Sequence, residues 1–146
     1  MIINPAAERR GFTLVEMCVA LILLSALLEI GIPRLRLAVD RAAVRGAVQE
    51  ASALFTLARR SAMTRRAVVA VVIDTVGGGF VIRSGSSVIA RRNIRSAFGV
   101  RVASSRDSMS YDPRGLGYGA ANLTVSASRG KAAETLFVSR LGRVRH

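Results

Sequence analysis

The run RRGFTLVEMCVALILLSALLEIGIP, residues 9–33, decides the fold. Two arginines and a glycine give way to an apolar segment that Glu16 interrupts almost at once. From Phe12 to Ile32 nearly every position is apolar, close to the ~20 residues an α-helix needs to cross a hydrocarbon core about 30 Å thick. A cleavable secretory signal would be shorter and would end on small residues at its cut site. Ser25-Ala26 fits that pattern loosely, but such a signal explains neither the sharp switch at Gly11 nor the acid at Glu16. Arg9 and Arg10 ahead of the span favour a cytoplasmic start, whereas Arg34 and Arg36 beyond it weaken the charge asymmetry. Residues 12–33 therefore read as a retained transmembrane helix. Glu16 then lies in its first turn, where a carboxylate faces the positive end of the helix dipole. An acid inside a membrane is usually functional and has a partner. Glu29, thirteen residues on, lies on a different face and could pair with Arg34 or Arg36.

The rest of the composition fits one domain behind this anchor. The chain has 146 residues, 51% of them hydrophobic, and a mean hydropathy of +0.37 whose excess is concentrated near the N-terminus. Cys18, the only cysteine, lies inside the apolar run and reads as a small apolar filler. The net charge of +13 lies beyond the span: two of the 22 basic and three of the 9 acidic residues precede residue 34. Nearly all of the base is arginine, Lys131 being the only lysine. Such a surface suits polyanions or an acidic protein partner, although an arginine-rich genome would give the same composition.

After Pro33, which should break or kink the helix, the pattern turns amphipathic. Val44, Val48, Ala51, Phe55, Ala58 and Ala62 recur at steps of three and four and define a core-facing stripe, with the helix continuing to about Thr64. Strands are expected over 67–74, 80–83, 87–91, 99–105, 109–112, 123–128 and 134–140, with turns at 77–79 and 129–131. The fold class is α+β: one long helix, transmembrane in its first half, packed on a small antiparallel sheet, or two.

The hexapeptide GFTLVE, residues 11–16, resembles the processing site of type IV prepilins and type II secretion pseudopilins. The resemblance implies that residues 1–11 are a leader cut off by a prepilin peptidase. Gly11 would precede the cut, and Phe12 would become the N-methylated first residue. Glu16 would pair with a neighbouring subunit's new amine during assembly, although a glutamate reaching back to its own N-terminus fits the same sequence. YDPRGLG (111–117) followed by LTVSASRGKAAETLFVSRLGRVR (123–145) resembles the C-terminal half of the GspH/FimT minor pilin and pseudopilin family, through Tyr111, Pro113, Gly115, Gly142, Arg143 and Arg145. The family implies a type IV pilin-like fold, with residues 34–146 as a periplasmic head: an amphipathic helix over 34–64 and a β-rich part over 67–146. It also implies assembly with other pilins through an inner-membrane platform.

Three functional classes follow. An enzyme finds little support, since the one histidine, His146, is terminal and the one cysteine lies in the span. No metal or cofactor site is implied, and GGG and GLGYG lack the context of a nucleotide loop. Asp107 and Asp112 read as solvated loop acids. A minor pseudopilin near the tip of a type II secretion pseudopilus is the leading reading. The alternative is a pilus-side minor pilin that binds DNA through Arg129, Lys131, Arg140, Arg143 and Arg145, with Arg114 nearby. Arginine's planar fork suits phosphate, but no aromatic residue is expected among these arginines to stack bases, and a basic last strand also guards a sheet edge against aggregation.

Overall fold

The computed structural model describes residues 11–118 and 122–145. Residues 1–10, most of the expected leader with Arg9 and Arg10, and the terminal His146 lie outside the described residues. The chain divides into two units, 1–36 and 37–146.

Helix α1 spans Leu14–Arg65. It begins on a capping box: the Glu16 N–H donates to Thr13 Oγ1 (3.2 Å), and the Thr13 N–H donates to Glu16 Oε2 (3.5 Å). Pro33 lies inside α1, which continues past it as the helix expected to reach about Thr64 does. In the first unit every described side chain is exposed, from Phe12 to Leu35 among the large apolar ones.

In the second unit α1 becomes a core element. Val44, Ala47, Val48, Ala51, Leu54, Phe55, Ala58 and Ala62 are buried, so the expected stripe holds and gains Ala47 and Leu54. Four alanines along it keep the helix surface low and let sheets come close. Two antiparallel sheets cover it. One has the strand order β3-β2-β1-β5-β6, from Ser87–Asn93, Gly79–Ser84, Val69–Asp74, Ser108–Tyr111 and Gly117–Tyr118. The other has the order β4-β7-β8-β9, from Arg101–Ser104, Leu123–Arg129, Ala132–Val138 and Val144–Arg145. Each central strand alternates as a one-face-buried strand must: Val69, Val71 and Ile73 of β1 and Leu123, Val125 and Ala127 of β7 point inward. The register of β1 on β2 sets Ile73 opposite Phe80. Phe80 meets Phe55 edge to face, with ring centroids 6.4 Å apart and planes at 88°.

A short helix, α2 (Ile94–Phe98), links the sheets. Asn93 caps it by accepting from the Ser96 N–H, and Gly99 ends it at φ 63. Its Phe98 ring lies where a side chain at residue 46 would stand: a Cβ added to Gly46 would meet it at 2.7 Å.

Phe55 is fully buried at the meeting of helix and sheet. Phe55→Ala should cost about 3–5 kcal/mol, read as a lowered midpoint in chemical denaturation of the detergent-solubilised chain. A loss under 1 kcal/mol would mean that the helix does not pack here as described.

Candidate functional site

The N-terminal residues implicated by the sequence sit together at the start of α1. Gly11, Phe12 and Glu16 are exposed, and Glu16 makes the local capping contact with Thr13 rather than any contact farther along the chain. Cys18 is a free thiol on the same exposed helix.

The basic residues fall into two groups. Arg129 closes β7 and is occupied: Nε lies 3.0 Å from Asp40 Oδ1, and Nη1 donates to the Phe98 carbonyl at 2.9 Å. It ties α1, the end of α2 and the β7–β8 hairpin together. Two of the three nitrogens of its fork are therefore engaged inside the protein. Lys131 is exposed in the hairpin turn, beside Gly130 at φ 54. Arg143 and Arg145 lie at the other end of β8, a strand of seven residues, roughly 20 Å away at about 3.3 Å per residue. Arg140 has its backbone fixed, its N–H donating to Asn122 Oδ1 (3.3 Å) and its carbonyl accepting from the Gly117 N–H (2.8 Å). Its side chain is exposed. The single patch expected from sequence is thus divided between the two ends of one strand.

At the far end, Arg143 and Arg145 share an open cleft of about 320 Å³ with Asn122, Phe137 and Leu141. The β8–β9 register sets Phe137 directly opposite Arg145, and Phe137 is 54% exposed. An aromatic ring therefore does lie among the arginines. Phe137 stands between Lys131 and Arg140 in the chain, against the expectation that no aromatic lay among the basic residues; the signal was the alternation of ETLFV, which puts Phe137 on the outward face between buried Leu136 and Val138.

The glycines of the two C-terminal motifs have a structural task. Gly115 and Gly142, at φ 79 and φ 71, meet at the side chain of Arg59. Arg59 Nε donates to the Gly115 carbonyl at 3.0 Å. A Cβ on Gly142 would stand 2.9 Å from Arg59 Cδ and 3.0 Å from the Gly115 carbonyl oxygen. Asp112, a loop acid in the sequence reading, organises the same turn, its Oδ1 accepting from the N–H groups of Arg114 and Leu116 at 2.9 Å each. Arg114 itself is exposed. Beneath the turn lies Tyr111, fully buried, whose hydroxyl has no hydrogen-bond partner among the described residues. Burial pushes this phenol up to about 12, against a smaller opposing pull from the Arg59 charge. Among the described residues no cluster of His, Cys, Asp or Glu could hold a metal ion.

Comparison with known proteins bears on this geometry. Residues 47–142 match the family model described as type II transport protein GspH, a match that runs from the buried helix stripe to the glycine beside Arg59. The chain belongs to the GspH family. Two solved structures share its fold, both crystal forms of the type IV minor pilin FimU from Pseudomonas aeruginosa. One has 18% identity and a TM-score of 0.61 over 72% of this chain and 88% of that one. The other has 16% identity and a TM-score of 0.58 over 69% and 90%. No curated protein sequence matches the chain. The GspH family and the pilin fold are those of structural subunits that assemble into fibres, and α1 is long and apolar enough to cross a membrane.

The buried phenol gives a pH signature. Between pH 10 and about 12 the unfolded chain has lost the Tyr111 proton while the native chain keeps it, so stability falls as pH rises through that window. The loss should approach about 2 kcal/mol by pH 12, and Tyr111→Phe should remove that part of the alkaline slope in denaturation at stepped pH. A mutant slope equal to wild type would show that the phenol ionises freely in the native state.

Proposed function

We propose that the chain is a minor pseudopilin of a type II secretion system, a structural subunit at or near the tip of a periplasmic pseudopilus that supports protein export. One observation carries the reading: the first part of α1 is an uncovered apolar helix long enough to cross a membrane, and the later part of the same helix holds the head's core. A rod of this kind suits lipid before assembly and the packed centre of a fibre afterwards. In this scheme a prepilin peptidase cuts after Gly11 and methylates Phe12, and residues 12–33 anchor the chain in the bacterial inner membrane. Residues 34–146 form the periplasmic head, and an inner-membrane platform drives assembly with other pseudopilins. Cleavage turns Phe12 into an amine, and Glu16 supplies the charge that a neighbour's amine seeks. The Thr13–Glu16 contact holds that carboxylate at the helix start, ready to exchange a local donor for an intersubunit one.

The test is Glu16→Ala in the host. The variant should remain in the membrane fraction at normal level but should co-purify poorly with companion pseudopilins, and export should drop. Unchanged co-purification and unchanged export would refute the assembly role.

A second reading, DNA binding on a type IV pilus, gains support from the cleft that Phe137 lines together with Arg143 and Arg145. Cations for phosphate beside a ring for a base is the pairing that nucleic-acid grooves use. Titration of the head with DNA at two salt concentrations separates the readings. DNA binding should be micromolar and weaken steeply with salt, and Arg143→Gln with Arg145→Gln should abolish it while Arg129→Gln spares it. No binding at low salt removes the second reading.

A further inference from the structure

The end of the head built around Arg59 carries apolar side chains that the core does not use. Met63, Leu116, Tyr118, Phe137 and Leu141 are 40%, 40%, 69%, 54% and 58% exposed, although they come from α1, two turns, β6 and β8. Short contacts bring them together. A Cβ on Gly115 would stand 2.9 Å from Met63 Sδ, so the methionine flanks the turn that carries Leu116. The Gly117 N–H donates to the Arg140 carbonyl at 2.8 Å, which sets Leu116 and Tyr118 close to Leu141. Tyr118 pairs with Ser110, whose neighbours Met109 and Tyr111 point into the core, so the tyrosine ring faces outward. Leu141 and Phe137 line one cleft. Single apolar residues on a surface need no explanation, but a joined patch with a polar rim marks a binding face.

The rim is cationic. Arg114, Arg140, Arg143 and Arg145 are exposed, and their side chains make no hydrogen bond or salt bridge among the described residues. Asp112, the acid in the same turn, is committed to two main-chain N–H groups. Aromatic residues, methionine and arginine are the types enriched where proteins meet, and lysine is depleted there. A nucleic acid would use the cations and a stacking ring but would leave Met63, Leu116 and Leu141 facing water. A second copy of the chain is disfavoured by charge: the net charge is +13, and each face would bring its own arginines against the other's.

We infer that this face docks a different pilin-like subunit, one that meets it with apolar side chains inside a ring of carboxylates. Arginine's fork receives a carboxylate through two parallel hydrogen bonds, and the apolar centre, shielded from water by that ring, supplies the hold. The inference rests on the fibre-subunit reading and adds to it the surface used and the chemistry of the partner. Glu16 would act at the helix start, and this face acts on the head.

The test uses the full chain in nonionic detergent. Each companion minor pseudopilin of the host, purified separately in the same detergent and dye-labelled, is titrated with it and followed by fluorescence anisotropy. At least one companion should bind, and binding should weaken with salt. Leu141→Ala and Tyr118→Ala should each lower affinity about tenfold or more, and Arg140→Glu with Arg143→Glu should slow association. Val88→Ala, at a 53% exposed position on the opposite edge of the first sheet, should bind as wild type. Circular dichroism of the variants should not change. Patch variants that bind every companion like wild type would overturn the docking face. So would patch-dependent binding to phosphatidylglycerol vesicles or duplex DNA with no companion that responds, which would make a lipid or a nucleic acid the occupant. Self-association that depends on the patch would instead make the occupant a second copy, against the inference. Companion binding that is lost with Glu16→Gln but ignores the patch removes the inference and leaves the fibre reading standing. A chain that binds no companion takes both down.

Discussion

Everything in the head depends on covering one narrow stripe of α1. From Val44 to Ala62 the helix shows the sheets mostly alanine and valine, with Leu54 and Phe55 as the larger exceptions. A stripe this shallow cannot fill a core by itself. It sets a distance, and the strands must bring the bulk: Phe80 and Ile82 from β2, Met109 and Tyr111 from β5, Leu123 from β7 and Leu136 from β8, all fully or almost fully buried. Close packing then makes each contact sensitive to volume. The edge-on meeting of the Phe55 ring with Phe80 ties the helix to the first of the sheets.

The same constraint explains why arginine, so abundant here, is mostly kept at the rim. Three arginines are nevertheless drawn into the framework. Arg129 bridges helix and hairpin through Asp40, Arg59 holds the Gly115 carbonyl, and Arg95 donates to the Val76 carbonyl. Two of these three contacts are to main-chain oxygens alone, which neutral donors could also serve. Arginine's long stem reaches across elements that a shorter side chain could not join. The placing of two glycines follows from the same geometry: Gly115 and Gly142 leave room for Arg59 to pass.

Much of this was legible in the chain itself. The apolar run, the helical stripe and the seven longer strands are written in periods of 3.6 and 2, and the fold they predict is the one observed. What stayed hidden was of two kinds. The two-residue strands β6 and β9 and the one-turn α2 are too short for any period to show, although Asn93 and Gly99 at the ends of α2 were a usable signal. Contacts across the sequence were also out of reach. Nothing local to Arg129 announces Asp40, and nothing near Arg145 announces Phe137; strand register alone makes the first pair structural and the second pair a cleft. Pro33 lies inside the long helix: its missing N–H costs a hydrogen bond, but flanking turns of a long helix can carry the chain past it.

The junction at Arg59 has a bearing on how the protein is made. Its three participants, residues 59, 115 and 142, come from nearly opposite ends of the head, and Leu136 and Val138 of the late strand β8 are also wholly buried. A core closed by its last-synthesised segment cannot set until that segment arrives, because contacts so distant along the chain form late. An emerging head would stay pliable while its C-terminal part is still being delivered, and it would harden only when the last strands close over the helix.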